Sequence, residues 1–543
     1  MQKQLLLSAF ILFIGVQTLH AQASSMLQVY EIFQNKCISC HDHASPEAGL
    51  DLEGSGTSDY LKAYGVAQQL RNATPSNAHA AANGLKRIYP GRPDKSFLFK
   101  KINSGFEPYV ANLHANEGSA MPAYPGTQLT DLEKEVIRQW ILYGAKSSGI
   151  QFDKSILEDY YAGNGNQSFP SGPPPAPDPS EGFQIKMGPF YLEPDGEVEY
   201  YQKLELDLPA DVEVDRVDIK ISSYSHHYII YNFESAAGAN QIPHGLRLNS
   251  FHNDINLVAA VQEATNLELP EGTAFKWSND LVLDLNSHYI NYSLNQPYQC
   301  EAYVNVYTKP VGTAEQEMFA TLLVNPSIPI PNNGNLITHT DAAYQFGTGD
   351  IYIWGLMGHT HKYGTGYKVW RRLANGQKGE LLYDASCPGG IPGCPAPYFD
   401  YQHIPLRYWE PELLPVNWNQ GIVHEATWVN DGPSSVNFGP TSDDEMMVLI
   451  AFYTLNPVTV GTEDDLSINT ELAVWPVPSS SSIYFQSPDA TGFKSVRVFD
   501  LAGRQVLEVQ NAAGPTVELN VSTLPKGMYV LKADQYLSKI VVE

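Results

Sequence analysis

The feature that most restricts the fold is a proline- and glycine-rich segment at residues 163–180, GNGNQSFPSGPPPAPDPS. Proline fixes φ and lacks a backbone donor, so this segment cannot form a helix or a central strand. We expect a semi-rigid, polyproline-type linker within residues 151–181. The residue pattern differs on its two sides, and the linker therefore predicts the main domain boundary of the 543-residue chain.

Before this linker the pattern is helical. A helix is predicted over residues 131–143, because Thr130 and Glu133 form a capping box and Gly144 follows the last apolar position. Residues 24–150 are therefore expected to form a small all-α domain.

After the linker, apolar and polar residues alternate in short runs such as residues 217–221 and 281–285. This period of two is typical of antiparallel strands. We expect two β-sandwich domains, 182–325 and 326–465, and a small β-sandwich module at 470–543. The chain is thus predicted to be a multidomain, mainly β protein.

The amino terminus has the pattern of a secretory signal peptide over residues 1–23. Lys3 precedes an apolar run, and Ala21-Gln22-Ala23 fits a cleavage site. The run is too short to span a membrane, so no transmembrane segment is expected. The formal net charge of −26 disfavours nucleic acid as a partner, because such a partner requires a positive surface.

Residues 37–41 read C-I-S-C-H. In an exported chain, this motif predicts one covalently attached haem c: Cys37 and Cys40 bind the haem vinyl groups, and His41 is an axial iron ligand. The alternative is a redox C-x-x-C pair with a bystander histidine.

Two later stretches extend this interpretation: YPGRPDKSFL at 89–98 and SAMPA at 119–123. Together with the haem motif, they resemble the cytochrome c-like domains of large exported bacterial proteins. The resemblance implies Met121 as the second axial ligand. His43 and His114 are rival ligands, and Met121 could instead be a core residue.

Four stretches of the β region are rich in histidine or methionine: residues 225–228, 286–289, 358–361 and 444–447. On a strand, His359 and His361 project from one face, whereas His226 and His227 can share a metal only if the backbone bulges. A single histidine here is most simply a hydrogen-bonded core residue. Five together favour a metal site, and a thioether beside imidazoles selects copper.

The β region contains, in this order, a His-His pair, a lone His before Tyr, a His-x-His and an Asp-Glu-Met. This set of motifs resembles that of the copper type II, ascorbate-dependent monooxygenases, over about residues 182–460. The resemblance implies two jelly-roll-like domains that each hold one of two copper ions, facing each other across an open cleft. By motif, the electron-donating copper has the ligands His226, His227 and His288, and the oxygen-binding, catalytic copper has the ligands His359, His361 and Met446. Met447 is the competing neighbour.

The family resemblance implies O2-dependent hydroxylation of a C–H bond, with ascorbate or another external reductant. Met357 and Ile450 occupy positions where peptidylglycine hydroxylases have Arg and Tyr. We therefore expect an apolar small-molecule or peptide substrate rather than a glycine-extended peptide.

The fused haem domain, reduced by its own electron donor, is expected to supply electrons across a flexible linker. One alternative is an extracellular haem and copper electron-transfer or copper-binding protein without oxygenase activity. Another is a surface-binding module with vestigial sites.

The carboxy-terminal stretches 474–478, 496–504, 524–531 and 539–543 resemble the type IX secretion sorting domain of Bacteroidetes. The resemblance implies that the type IX secretion machinery is a partner. It also implies passage through the periplasm to the medium or the outer-membrane surface. The alternative is an ordinary immunoglobulin-like module.

Cys387 and Cys394 flank a short loop rich in Pro and Gly, and we expect them to form a disulfide. Cys300 is then left either free or in an intermolecular bond.

Overall fold

The computed structural model describes residues 24–106, 113–233, 235–248, 255–261, 265–344, 349–439, 443–458, 472, 474–486, 492–500, 504–534 and 536–543. The predicted signal peptide lies outside these residues. The chain divides into two compact units, Met1–Val458 and Thr459–Glu543.

The α-helices of the first unit lie mainly before residue 160. They are α1 Ser25–Lys36, α2 Asp59–Leu70, α3 Ala78–Ala82, α4 Phe97–Ile102, α5 Asp131–Leu142, α6 Lys154–Asp159 and α7 Ala236–Gln241. Short 3-10 turns lie at Glu47–Gly49, Pro93–Lys95, Ala115–Glu117 and Pro388–Gly390, and a π-turn at Tyr160–Asn164.

The predicted capping box of α5 is confirmed. The Glu133 amide donates to Thr130 Oγ1 at 3.2 Å, and the Thr130 amide donates to the Glu133 carboxylate at 2.7 Å. The apolar face of α5, including Trp140, packs with α1 residues such as Phe33 in a core of its own. Amphipathic periodicity thus places α1 and α5 against each other.

The strands of the first unit make up most of its regular structure. They are β1 Asn166–Gln167, β2 Gly182–Leu192, β3 Glu197–Glu205, β4 Val212–Ile221, β5 Ser225–Phe233, β6 Leu246–Leu248, β7 Ile255–Val261, β8 Thr265–Glu268, β9 Thr273–Trp277, β10 Val282–Ile290, β11 Tyr298–Pro310, β12 Gln316–Glu317, β13 Phe319–Val324, β14 Leu336–Ala343, β15 Asp350–His359, β16 Gly364–Arg372, β17 Lys378–Asp384, β18 Arg407–Tyr408, β19 Leu414–Asn417, β20 Ile422–Val429 and β21 Val448–Thr454.

These strands form four sheets. Sheet I has β1, β2, β4, β8, β9, β11 and β12; sheet II has the order β6-β3-β10-β5-β7; sheet III has the order β13-β21-β15-β18, with β19 also paired to β15; sheet IV has the order β14-β20-β16-β17. Buried side chains from all four sheets form one continuous core.

The predicted boundary between residues 325 and 326 is wrong for one strand. β13 lies before that boundary, yet it pairs antiparallel with β21, with Phe319 opposite Tyr453. It therefore belongs to sheet III with the later part of the chain. Strand pairing across more than a hundred residues has no local sequence signal, so proline content alone misplaced this boundary.

The predicted linker is not a free tether. Asn166 and Gln167 pair with β11, and the carbonyls of Pro174 and Pro175 accept hydrogen bonds from Gln184 and Asn305. Proline carbonyls remain good acceptors, which lets an irregular segment lie along sheet I.

The helical region itself packs against sheets I and II. Arg138 of α5 donates to the carbonyl of Gly188 in β2 at 3.1 Å, and it pairs with Glu135 at 2.9 Å. Tyr143 and Tyr200 share a hydrogen bond between their hydroxyls at 2.7 Å. The expectation of a flexible connection is therefore corrected to a docked arrangement within one compact unit.

The second unit has strands β22 Val474–Trp475, β23 Ser482–Gln486, β24 Gly492–Phe499, β25 Gln505–Ala513, β26 Thr516–Asn520, β27 Gly527–Ala533 and β28 Tyr536–Val542. They form a three-stranded and a four-stranded sheet around a separate core that includes Phe485 and Leu531. The expected β module is thus present, with residues 496–499 in β24 and 528–531 in β27.

Candidate functional site

The His226–His227 pair lies at a bulge in β5. His227 is opposite His288 of β10, whereas Ser225 is opposite Tyr289, so His226 is the extra residue. The bulge turns both rings toward His288, with centroids 5.1 Å from it in each case. The irregularity that the sequence requires for a shared site is present.

His359 ends β15, and His361 follows two residues later. Their ring centroids lie 5.2 Å apart. Thr360 between them is fully buried, as are the neighbouring apolar residues of sheet III. The two imidazoles thus come to one place, as their spacing predicts.

All five histidines meet in one cluster, hereafter the histidine cluster: His226, His227, His288, His359 and His361. The centroid of the His226 ring lies 5.7 Å from that of His359 and 5.8 Å from that of His361. The expected open cleft between two separate sites is therefore not the arrangement found. Sheets II and III share one core, which brings their histidines together.

The closest grouping within the cluster also differs from the expected one. The ligand atoms of His226, His359 and His361 all lie within 4.8 Å of one another. The family resemblance implies a different grouping, of His226 with His227 and His288. Local spacing indicates candidate ligands but cannot determine which side chains of distant strands lie nearest.

Burial and hydrogen bonding leave ring nitrogens available in the cluster. His226 Nε2, His227 Nδ1 and His288 Nδ1 are buried and make no hydrogen bond to any residue that the structure describes. His288 Nε2 contacts Glu197 Oε1 at 2.7 Å, which orients that ring. A neutral imidazole held by one nitrogen presents the other as a metal ligand.

Burial, reinforced by neighbouring imidazoles, lowers the pKa of His226, His227 and His359 well below the ordinary value. These side chains are therefore neutral at pH 7, which is the form that binds a metal ion.

Met446 and Met447 have different surroundings. Met446 lines a small cavity of about 40 Å³ together with His227 and His359. Met447 is fully buried in the core, and the Asn325 amide lies 3.8 Å from its Sδ. Met446 is thus the methionine whose side chain reaches the histidine cluster's cavity.

Glu445 is a residue of the site that sequence reasoning missed. Its carboxylate accepts hydrogen bonds from the amides of His361 at 2.9 Å and Tyr363 at 2.6 Å, and from the Trp428 indole at 2.8 Å. Burial raises its pKa to about 7. The available signal was its position in the Asp-Glu-Met stretch, immediately before Met446.

Met357 and Ile450 line the same cavity as Met446. Most of the remaining lining is aliphatic or aromatic, including Val324, Phe438 and Val448. The two positions singled out as departures from peptide hydroxylases therefore face one apolar space beside the histidines.

A second cavity, of about 220 Å³, lies in the helical region and is lined by Cys37, His41 and Met121 among others. His41 Nδ1 lies 3.2 Å from the Glu47 carbonyl oxygen and 3.1 Å from that of Leu50. These contacts orient the ring and leave Nε2 for another partner. Burial raises the pKa of Cys37 to about 12, whereas Cys40 is exposed.

The rival histidines have other partners. His43 is exposed, and its Nδ1 lies 2.6 Å from Asp51. His114 Nδ1 accepts a hydrogen bond from the Asn116 amide, and its ring stacks on His79 at 4.1 Å. Met121 rather than either histidine lines the cavity that contains His41.

The expected disulfide between Cys387 and Cys394 is confirmed, with their Cα atoms 5.7 Å apart. Cys300 is a free thiol and is fully buried in β11. Of the two alternatives for Cys300, the free thiol is therefore correct.

Residues 473–543 match the family described as the secretion system C-terminal sorting domain. The protein is accordingly exported, and it is secreted or located at the cell surface. The residues that the structure describes include no helix long and apolar enough to cross a membrane.

No curated protein matches this chain. Solved structures similar to it include the major capsid protein P2 of bacteriophage PM2, at 10% identity and a TM-score of 0.21, with 50% of this chain and 97% of that chain covered. Another is the STIV MCP, at 8% identity and a TM-score of 0.22, with 52% and 98% covered. Similarity at this level carries no argument about fold or function.

Proposed function

We propose that this protein is a secreted copper-dependent monooxygenase that hydroxylates a C–H bond of its substrate with O2, and that it receives electrons through a c-type haem. The observation that carries the proposal is the convergence of five buried histidines in one cluster, of which His227 and His359 line one apolar cavity with Met446. On this proposal the four sheets are jelly-roll-like sandwiches related to the copper type II enzymes, and the helical region is a cytochrome c-like domain.

The donor set fits copper. The available nitrogens of His226, His227 and His288 are buried, and bare buried imidazole nitrogens are costly without a partner. Imidazole with a thioether favours copper, especially Cu(I), over zinc or magnesium. Bound copper supplies O2 binding and one-electron chemistry.

The residues around the cluster determine what reaches it. Met357, Ile450 and Val448 give the cavity an apolar wall beside His359 and Met446. Such a wall binds a hydrocarbon portion of a substrate and excludes water. The ring of Tyr401 also lies near the cluster, with its centroid 5.9 Å from that of His226.

The cavity in the helical region supports the haem. Cys37, His41 and Met121 line this cavity, and His41 Nε2 is left for another partner. On this proposal Cys37 and Cys40 bind the haem covalently. A His and Met ligand pair raises the haem potential, as suits an electron carrier.

A series of packed aromatic side chains connects the two regions. Tyr143, at the end of α5, contacts Tyr200. Tyr200 packs on Phe190, with ring centroids 4.2 Å apart. The Phe190 ring lies 5.9 Å from that of Tyr289, which follows His288 in β10. Because the helical region is docked, electron delivery needs no tethered encounter. This packing supports transfer from haem to the histidine cluster.

The test uses the exported, mature protein loaded with copper and haem, given a reductant and isotopically labelled O2, and screened against apolar substrates. We expect a product that contains one labelled oxygen atom. His359→Ala should abolish this product without changing the haem spectrum, and His424→Ala, a buried histidine of β20 outside the cluster, should retain it. Reduction of O2 with no hydroxylated product would contradict the proposal.

One observation favours a second function, that of an extracellular electron-transfer or copper-binding protein. The cavity beside the cluster is only about 40 Å³, which leaves little space for an organic substrate. On this alternative, copper and haem are both present and exchange electrons, yet no labelled product forms with any substrate.

A further inference from the structure

Three histidines from two different sheets form the tightest potential ligand set in the histidine cluster. The ligand atoms of His226, His359 and His361 lie within 4.8 Å of one another, and all three residues are buried. Metal–nitrogen bonds of about 2.0–2.1 Å place neighbouring ligand nitrogens roughly 3.3–3.6 Å apart. Small ring movements therefore suffice for one ion to contact all three.

The rings of the expected set, His226, His227 and His288, have centroids 5.1–5.4 Å apart, and the distinction from the proposed set lies in the ligand atoms. Among the residues that the structure describes, His227 and His288 do not complete a group of three with ligand atoms this close, whereas His226 completes one with His359 and His361. At the bulge in β5, His226 is the extra residue, whereas His227 is paired in register with His288. Both rings lie near His359, with centroids 5.7 Å and 5.5 Å from it, but it is His226 whose ligand atom lies within 4.8 Å of those of both His359 and His361.

We propose that the first metal ion binds across the two sheets, to His226 from sheet II and to His359 and His361 from sheet III. This inference rests on the proposed function, because it concerns the same cluster, and it deepens it by assigning the ligands. His227, His288 and Met446 are then the donors left for a second ion. A bound first ion ties β5 and β15 together, so metal loading and the closed arrangement of the two sheets are coupled.

The first experiment uses the unmodified mature protein and one equivalent of Cu⁺ under anaerobic conditions, followed by hydrogen–deuterium exchange. The proposal predicts increased protection in both the 225–233 and the 350–361 peptides at this single equivalent. Protection confined to one of these peptides would overturn the bridging site. It would leave the proposed function intact, because copper would still be bound.

The second experiment measures the affinity for the first Cu⁺ in single variants. His226→Ala and His359→Ala should each weaken it by at least about 100-fold, the upper range reached by changes outside the direct ligands. His227→Ala and Met446→Ala should leave the first affinity nearly unchanged and weaken the second. His339→Ala, at a half-buried position of β14 outside the cluster, is the control for binding elsewhere.

The opposite pattern would overturn the proposal. If His227→Ala or Met446→Ala weakens the first affinity while His226→Ala or His359→Ala does not, the two sheets hold separate ions. A protein that takes up no Cu⁺ at all would overturn both this inference and the proposed function. Circular dichroism of each metal-free variant separates loss of a ligand from loss of the fold, and the exchange experiment does not depend on any variant.

Discussion

Glu445 fixes the chain around two of the proposed metal ligands. Its carboxylate holds the amides of His361, Tyr363 and Met446, the last at 3.3 Å. Above its pKa of about 7 the Glu445 side chain is a carboxylate, which organises several buried donors more strongly than a neutral group can. We infer that it positions the His361 and Met446 side chains without touching the metal.

Replacement of Glu445 tests this role. In Glu445→Gln, the amide group presents hydrogens toward backbone N–H donors that need acceptors, which should cost about 1–3 kcal/mol of folding free energy. Copper affinity should fall by about 10- to 100-fold, as for other changes behind the direct ligands. Titration with Cu⁺ and urea unfolding measure both effects. Asp443→Asn, an exposed neighbour, is the control, and an unchanged copper affinity in Glu445→Gln would exclude the positioning role.

His424 provides a pH dependence that is separate from the cluster. The side chain is buried, and the Tyr367 hydroxyl oxygen lies 2.6 Å from its Nδ1. Burial lowers the pKa of His424 to about 4. The unfolded chain therefore binds a proton at this residue below about pH 6.5, where the folded chain does not. Stability should fall by about 3 kcal/mol between pH 6.5 and 4 from this group alone. Urea unfolding of wild type and His424→Gln should show a steeper acid loss in the wild type, and equal slopes would refute the assignment.

At the scale of residues, the sequence predicts which residue types form the candidate site better than it predicts which side chains lie next to one another. The need for a bulge at His226 followed from the alternation of strand side chains, and the structure has that bulge. The competition between Met446 and Met447 could not be resolved from adjacent positions, because either can face the cavity until the strand pairing is known. Glu445 was missed because its importance comes from backbone donors of a distant loop.

At the scale of elements, the docked helix α5 is the main difference from expectation. A proline-rich segment is typical of a flexible tether, but here its carbonyls accept hydrogen bonds from sheet I, and α5 packs against the same sheet. Period and capping predicted α5 and the alternation of the strands. They could not predict that β13 pairs with β21, or that buried Arg138 meets the backbone of β2, because such contacts join distant segments.

The docking makes the aromatic series testable. Phe190 is fully buried between Tyr200 and Tyr289, and Phe190→Leu removes the ring while keeping an apolar side chain. We expect slower oxidation of the reduced haem by cluster-bound copper, followed by stopped-flow absorbance. Tyr224→Leu removes an aromatic ring that packs on Tyr292 and Tyr298 rather than on a ring of this series, and should leave the rate unchanged. Equal rates in Phe190→Leu and wild type would exclude this route.

At the scale of the whole molecule, the candidate cofactor sites and the sorting domain belong to different units. The sorting match covers residues 473–543, and the second unit has its own core. The first unit contains both candidate cofactor sites. The first unit should therefore fold without the core of the second unit.

A chain that ends at Val458 separates the two roles. It should fold with the same melting transition for the first unit and retain copper and haem, but it should accumulate in the periplasm. Cell fractionation and thermal melting measure this. Arrival of the shortened chain in the medium would show that residues 459–543 are not needed for export, and loss of the first unit's transition would contradict independent folding.

The measurement that tests the central claim most directly is the copper and haem content of the exported, mature protein, by elemental analysis and haem absorbance. The account predicts two copper ions and one covalently bound haem per chain in the wild type. In His359→Ala, the copper content should fall and the haem content should be unchanged. Haem without copper, or zinc in its place, would contradict the claim that the histidine cluster is a copper centre.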